Sequence, residues 1–106
     1  MFYNVSVYVP STIDVDKPID NTEYVQSVAR EFSKHFGGAT AQPPSKGFYL
    51  AENGELVEEN ITIVSSFSKL SKAQTKKIAC GIAENLRNTL RQESVLVTLN
   101  QTPIFV

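Results

Sequence analysis

From residue 2 to residue 9 the chain alternates. Tyr3, Val5, Val7 and Val9 point one way, and Phe2, Asn4, Ser6 and Tyr8 the other. A period of two marks a half-buried strand, which Pro10 ends. Residues 11–20 are polar and read as a connection. Asp20 and Glu23 stand at capping-box spacing. Tyr24, Val25, Val28, Ala29, Phe32 and Phe36 then recur at helical spacing, with Gln26, Arg30, Ser33 and Lys34 opposite. Gly37-Gly38 supplies the left-handed conformation that closes such a helix.

Residues 39–46, with Pro43-Pro44, read as a loop. Residues 47–51 and 55–57 flank Glu52-Asn53-Gly54, and Asn-Gly is the strongest short hairpin signal. The second arm is expected to run on through residues 61–67, with a bulge or bend at Glu58-Glu59-Asn60. Ser71 and Gln74 form a second capping-box pair. Thr75, Ile78, Ala79, Ile82, Ala83, Leu86 and Leu90 line one face of the helix that follows. Val95, Val97 and Leu99 alternate with Leu96 and Thr98 in a further strand. Residues 104–106 make a short final segment that Pro103 keeps at an edge.

The predicted fold is therefore α+β: a ferredoxin-like βαββαβ sandwich with a short extra C-terminal strand. Each helix has one apolar face and each strand one apolar side, so both helices belong on one face of an antiparallel sheet. A chain of 106 residues is the size of one domain, and half of it would be marginal alone, so residues 1–106 are expected to form a single unit.

Composition narrows the function classes. The net charge of −1 lacks the basic surplus of a general nucleic-acid binder, so no nucleic acid is expected. Cys80 is the sole cysteine and His35 the sole histidine, too few soft ligands for a typical zinc site; neither metal nor cofactor is expected. The alternating N-terminus is not a signal peptide, and no run approaches the roughly 18 apolar residues of a membrane span. A cytoplasmic location without membrane attachment is the expectation.

Candidate chemistry is sparse. Cys80 lies opposite the apolar stripe of its helix, and His35 sits near a helix C-terminus, where the dipole favours a cation. An inert thiol and a flanking histidine are preferred to a Cys–His pair. Glu52, Glu55, Glu58 and Glu59 cluster around the hairpin and read as a solvated acidic lobe, open to a basic partner. Lys69, Lys72, Lys76 and Lys77 gather where the second helix starts, with no glycine-rich loop beside them to cradle a phosphate.

If Val5, Val7 and Val9 face the helices, then Phe2, Ser6 and Tyr8 line the uncovered sheet face. Thr62, Val64 and Ser66 are expected to join them, with one of Phe48 or Tyr49. Such a semi-apolar face suits a second copy, a partner protein or a small ligand.

The layout from Phe2 to Ile13 resembles a group of small uncharacterised α+β proteins from bacteria, phages and mobile elements. The likeness continues through residues 29–40, residues 52–58 and residues 92–96. The resemblance implies a ferredoxin-like fold and an accessory role in a phage or plasmid, such as blocking a host defence protein. It carries no catalytic residues over.

Two readings follow. The first is a non-enzymatic interaction module, with a host protein or a second copy (a homodimer) bound through Phe2, Ser6, Tyr8, Thr62, Val64, Glu55 and Glu58. The second is a small-ligand protein or cofactor-free enzyme of the dimeric α+β barrel type, using Tyr8, His35 and Tyr49. A pocket lined by two of those three favours the second reading; a flat sheet with none favours the first.

Overall fold

The computed structural model describes residues 2–106. Val5, Val7 and Val9, all without solvent exposure, run along the strand β1 (Tyr3–Pro10) beneath the helices. Next come a two-stranded ribbon, β2 (Thr12–Ile13) and β3 (Lys17–Pro18), and helix α1 (Thr22–Phe36). Strands β4 (Thr40–Ala41), β5 (Ser45–Leu50) and β6 (Leu56–Ser68) precede helix α2 (Lys72–Leu90); β7 (Leu96–Leu99) and β8 (Thr102–Phe105) finish the chain.

Strand β1 is central, paired antiparallel with β6 on one side and β7 on the other. The outer edge of β6 receives β4 and β5 in turn, and β8 lies outside β7. Helix α1 packs on β6, and α2 on β1 and β7. Two helices on one antiparallel sheet is the expected α+β class. The ribbon, β4 and β8 are additions that a plain βαββαβ plan lacks.

Local chemistry explains the ends. Ser71 caps α2 in the expected box with Gln74, whose backbone N–H donates to Ser71 Oγ at 3.1 Å. The expected box at Asp20–Glu23 is not there. Asn21 is the cap residue, and Asp20 accepts from the Thr22 N–H at 3.0 Å and its hydroxyl at 2.6 Å, contacts that hold its carboxyl below the usual range. Gly37 closes α1 in the left-handed region at φ 94°. The bulge expected at Glu58-Glu59-Asn60 is absent too: these residues pair in register with Phe48, Gly47 and Lys46.

The facing of β6 is the reverse of that expected. Val7 stands opposite Val64, and Val9 opposite Thr62, so Thr62, Val64, Ser66 and Ser68 lie beneath the helices. Ile61, Ile63, Ser65 and Phe67 share the uncovered face instead. Thr62 and Val64 are therefore core residues and not part of the open surface. Helix ends satisfy the buried hydroxyls. Asn21 Nδ2 donates to Thr62 Oγ1 at 3.5 Å, Ser66 Oγ donates to the Gly38 carbonyl at 2.5 Å, and Ser68 Oγ lies 2.7 Å from Thr75 Oγ1.

The last pair gives a test. Ser68 and Thr75 have no solvent exposure, and Ser68 Oγ also accepts from the Leu70 N–H at 3.1 Å. Thr75→Val keeps the shape and removes a partner, at an expected cost of about 1–2 kcal/mol. Urea unfolding should show a lower midpoint with an unchanged slope.

Candidate functional site

Beside the ribbon, the uncovered face opens into a cleft of about 450 Å³. Its floor comes from successive strands: Gly47 and Glu59 opposite each other, Ile61 beside Pro10, then Tyr8 and Leu96. Tyr49 and Phe105 add aromatic rings, Phe48 borders the cleft, Val15 enters from the ribbon, and residues 92–95 form the end. Gly47 makes the close approach possible. A Cβ there would lie 2.6 Å from Ile61 Cδ1 and 3.6 Å from Glu59 Cγ, so the missing side chain lets both partners lie over the strand.

Charge in this cleft has one sign. Glu59 and Glu93 line it, and none of the lining residues is a lysine, arginine or histidine. Glu59 is half-buried, and burial pushes its carboxyl above the ordinary glutamate value of 4.5. Among the described residues it forms no salt bridge. Its neighbour Glu58 points to the other face and meets Lys46 Nζ at 2.6 Å. A half-buried carboxylate among aromatic rings is a receptor for a cation with a flat apolar body, through charge pairing and cation–π attraction.

Of the proposed ligand groups, Tyr8 and Tyr49 line the cleft and His35 does not. His35 sits exposed on α1, with Nε2 3.8 Å from Glu31 Oε2. Of the proposed partner-binding set, Phe2 lies exposed with its ring edge-on to Phe67 and Lys69 Nζ 5.6 Å from its centroid. Ser6 is on the uncovered face but nearly buried, its hydroxyl 2.8 Å from Ser65 Oγ. Glu55 is exposed near the hairpin turn and Glu58 is ion-paired, so Glu59 alone of the acidic lobe enters the cleft. Burial raises the Cys80 thiol against the opposing pull of Lys76, which makes it a poor nucleophile.

The residues that sequence reasoning missed are Glu59, Gly47, Val15, Glu93, Ser94 and Phe105. The available signal was parity: in a paired strand, consecutive Glu58 and Glu59 must face opposite ways.

A second depression, about 590 Å³, lies at the far end of β6 among Gly37, Gly38, Thr40 and Phe67, with no titratable lining group. Among the described residues no cluster of three or more His, Cys, Asp or Glu could hold a metal ion, and no helix is long and apolar enough to cross a membrane.

The backbone has solved counterparts. A phage SAM lyase in complex with S-methyl-5'-thioadenosine superposes with a TM-score of 0.78 at 21% identity, over 99% of this chain and 88% of that one. The apo form of a phage SAM lyase gives 0.76 at 19% identity, over 98% and 87%. This chain has the fold of a phage SAM lyase. The divalent cation tolerance protein of Thermus thermophilus matches less well, with a TM-score of 0.54 at 16% identity, over 100% of this chain and 81% of that one. No protein-family model and no curated sequence matches the chain.

These findings correct the first reading. A non-enzymatic interaction module blocking a host protein was expected, whereas the fold that matches nearly end to end is that of an enzyme. Two of the three proposed ligand groups line one cleft, which also favours the second reading.

Proposed function

We propose that the chain is a cofactor-free lyase for a sulfonium nucleoside of the S-adenosylmethionine class, releasing S-methyl-5'-thioadenosine. The observation that carries this is the cleft itself: aromatic walls, two carboxylates and no basic lining residue. The fold shared with an enzyme that holds the same thionucleoside supports it.

The ligand chemistry matches the lining. Its sulfonium and ammonium groups are cations, for which Glu59 and Glu93 are the counter-charges. Its adenine is a flat ring for Tyr8, Tyr49 or Phe105 to stack against.

A lyase adds no water, so the electrons that replace the carbon–sulfur bond come from the substrate. Its own carboxylate oxygen attacks the γ carbon and closes a lactone, while sulfur leaves with the bonding pair as a neutral thioether. One negative and one positive charge vanish together, and no proton is transferred. Such a step needs a folded substrate and a poorly hydrated site more than an acid or base. The apolar floor of Ile61, Leu96 and Pro10 supplies that environment, and Glu59 anchors the cationic end.

A second copy of the chain is the proposed partner. Phe48, Leu50 and Leu56 are exposed on the hairpin and Phe105 on β8, and a neighbouring copy would cover such apolar side chains. A cytoplasmic setting, where the proposed substrate is made, belongs to the same reading.

The test is incubation of the purified protein with S-adenosylmethionine, read by mass spectrometry. Methylthioadenosine is expected to appear together with the lactone or its hydrolysed acid. Turnover should fall as pH drops through the raised Glu59 pKa, because protonation removes the charge that pairs with the cation. Release no faster than in buffer would refute the lyase reading. Binding without release would leave a nucleoside-binding protein.

A further inference from the structure

The turn of the ribbon has a backbone that its sequence does not favour. Asp14 and Val15 both occupy the left-handed region, at φ 53° and 72°. Glycine, asparagine and aspartate tolerate that region, whereas a β-branched residue there is an outlier. Val15 gains no core packing in return, since it remains 39% exposed. Strain of this kind persists only where the surroundings over-determine it.

Those surroundings are the C-terminal end of α2. The Asp14 N–H donates to the Leu90 carbonyl at 2.9 Å, and Arg91 Nε donates to the Asp14 carboxylate. The hydrogen bond from Arg91 holds the Asp14 carboxyl below its ordinary value. Gln92 Nε2 donates to the Thr12 carbonyl at 3.0 Å and to the Leu90 carbonyl at 3.2 Å, while Thr12 Oγ1 donates to Gln92 Oε1 at 3.3 Å. Across the ribbon, Lys17 Nζ lies 3.5 Å from Asp14 Oδ2. The turn is thus fastened from both sides.

The fastening aims one side chain. Val15 is the ribbon's single contribution to the cleft, and it also lines an adjoining depression of about 140 Å³. Tyr49 and Glu59 line both spaces as well, so these three side chains form the ridge between them. We infer that Val15 is a specificity-determining wall of the nucleoside site, pressed against the apolar thioether end of the ligand beside Glu59, and that Arg91 is the positioning residue that holds it there. This rests on the nucleoside reading given above.

Calorimetric titration of the 106-residue chain with S-methyl-5'-thioadenosine tests it. Val15→Gly suits the backbone better, so its melting temperature should equal or exceed that of the wild type. Its affinity should nevertheless fall about tenfold with the loss of the isopropyl contact. Val15→Ile, which keeps an apolar β-branched wall, should retain affinity within about threefold. Arg91→Ala should weaken binding in the wild-type background and add nothing in the Val15→Gly background, because it acts through Val15.

Equal affinities in wild type and Val15→Gly, with Tyr8→Ala impaired, would overturn the inference and leave the nucleoside reading intact. A Val15→Gly protein that melts lower would also overturn it, since the turn would then need valine for folding. Wild-type protein that takes up no methylthioadenosine would remove both claims.

Discussion

Glu59→Gln is expected to slow methylthioadenosine release about 100-fold, equivalent to about 2.7 kcal/mol, while the protein melts no lower than wild type. The substitution keeps size and hydrogen-bonding capacity and removes only the charge. A cation seated among Tyr8, Tyr49 and Phe105 would lose its half-buried counter-ion, a larger loss than that of an exposed pair.

Stability should move the other way. Burial raises the Glu59 pKa, so the folded state binds a proton more readily than the unfolded chain. The ionised carboxylate therefore costs stability, a cost absent well below pH 4.5 and complete once pH exceeds the raised value. Glutamine carries no such cost at neutral pH. A residue that weakens the fold and strengthens the site is the signature of function. Paired measurements of turnover and thermal unfolding check it. Wild-type turnover in Glu59→Gln would show that the carboxylate does not meet the substrate.

Phe32→Ala is expected to lower stability by about 3–5 kcal/mol, a large share of the roughly 5–15 kcal/mol that holds a domain together. Phe32 has no solvent exposure and sits midway along α1, its ring edge-on to Phe36 with centroids 5.4 Å apart. It packs in one core cluster with Val5, Val7, Val28 and Val64, so truncation opens a cavity where α1 meets β6 and β1. Urea unfolding by circular dichroism measures the loss. A change below about 1 kcal/mol would mean that the helix repacks and that Phe32 is not a keystone.

The two helices and the first strand were legible because each announces itself locally. Val28 and Phe32 fall where a period of 3.6 puts them, and Val5, Val7 and Val9 where a period of two does. The hairpin was legible for the same reason. Its turn at Asn53-Gly54 closes with Gly54 at φ 86° and its N–H donating to the Ala51 carbonyl.

The register of β6 was not legible. Odd positions carry Ile61, Ile63 and Phe67, whereas even positions carry Thr62, Ser66 and Ser68, so hydropathy alone turns the odd side inward. The structure turns the even side inward because Asn21, the Gly38 carbonyl and Thr75 satisfy those hydroxyls. Such partners lie at helix ends far along the chain, where no periodicity reports them.

The cleft was half legible. Tyr8 and Tyr49 are ligand candidates by sequence, whereas Glu59 reads there with its acidic neighbours as part of a wet lobe. The cleft around it depends on Gly47 opposite, on Tyr8 and Phe105 from other strands and on Val15 from the ribbon turn. Sequence shows the residues, but only the strand order β5, β6, β1, β7, β8 brings them together.

A titration of isotope-labelled protein with S-methyl-5'-thioadenosine, followed through backbone amide shifts, locates the nucleoside on the fold. Changes are expected at Tyr8, Val15, Gly47, Tyr49, Glu59 and residues 92–96, with Gly37, Gly38 and Thr40 undisturbed. Shifts centred on Gly37–Thr40, or none at millimolar nucleoside, would contradict this placement.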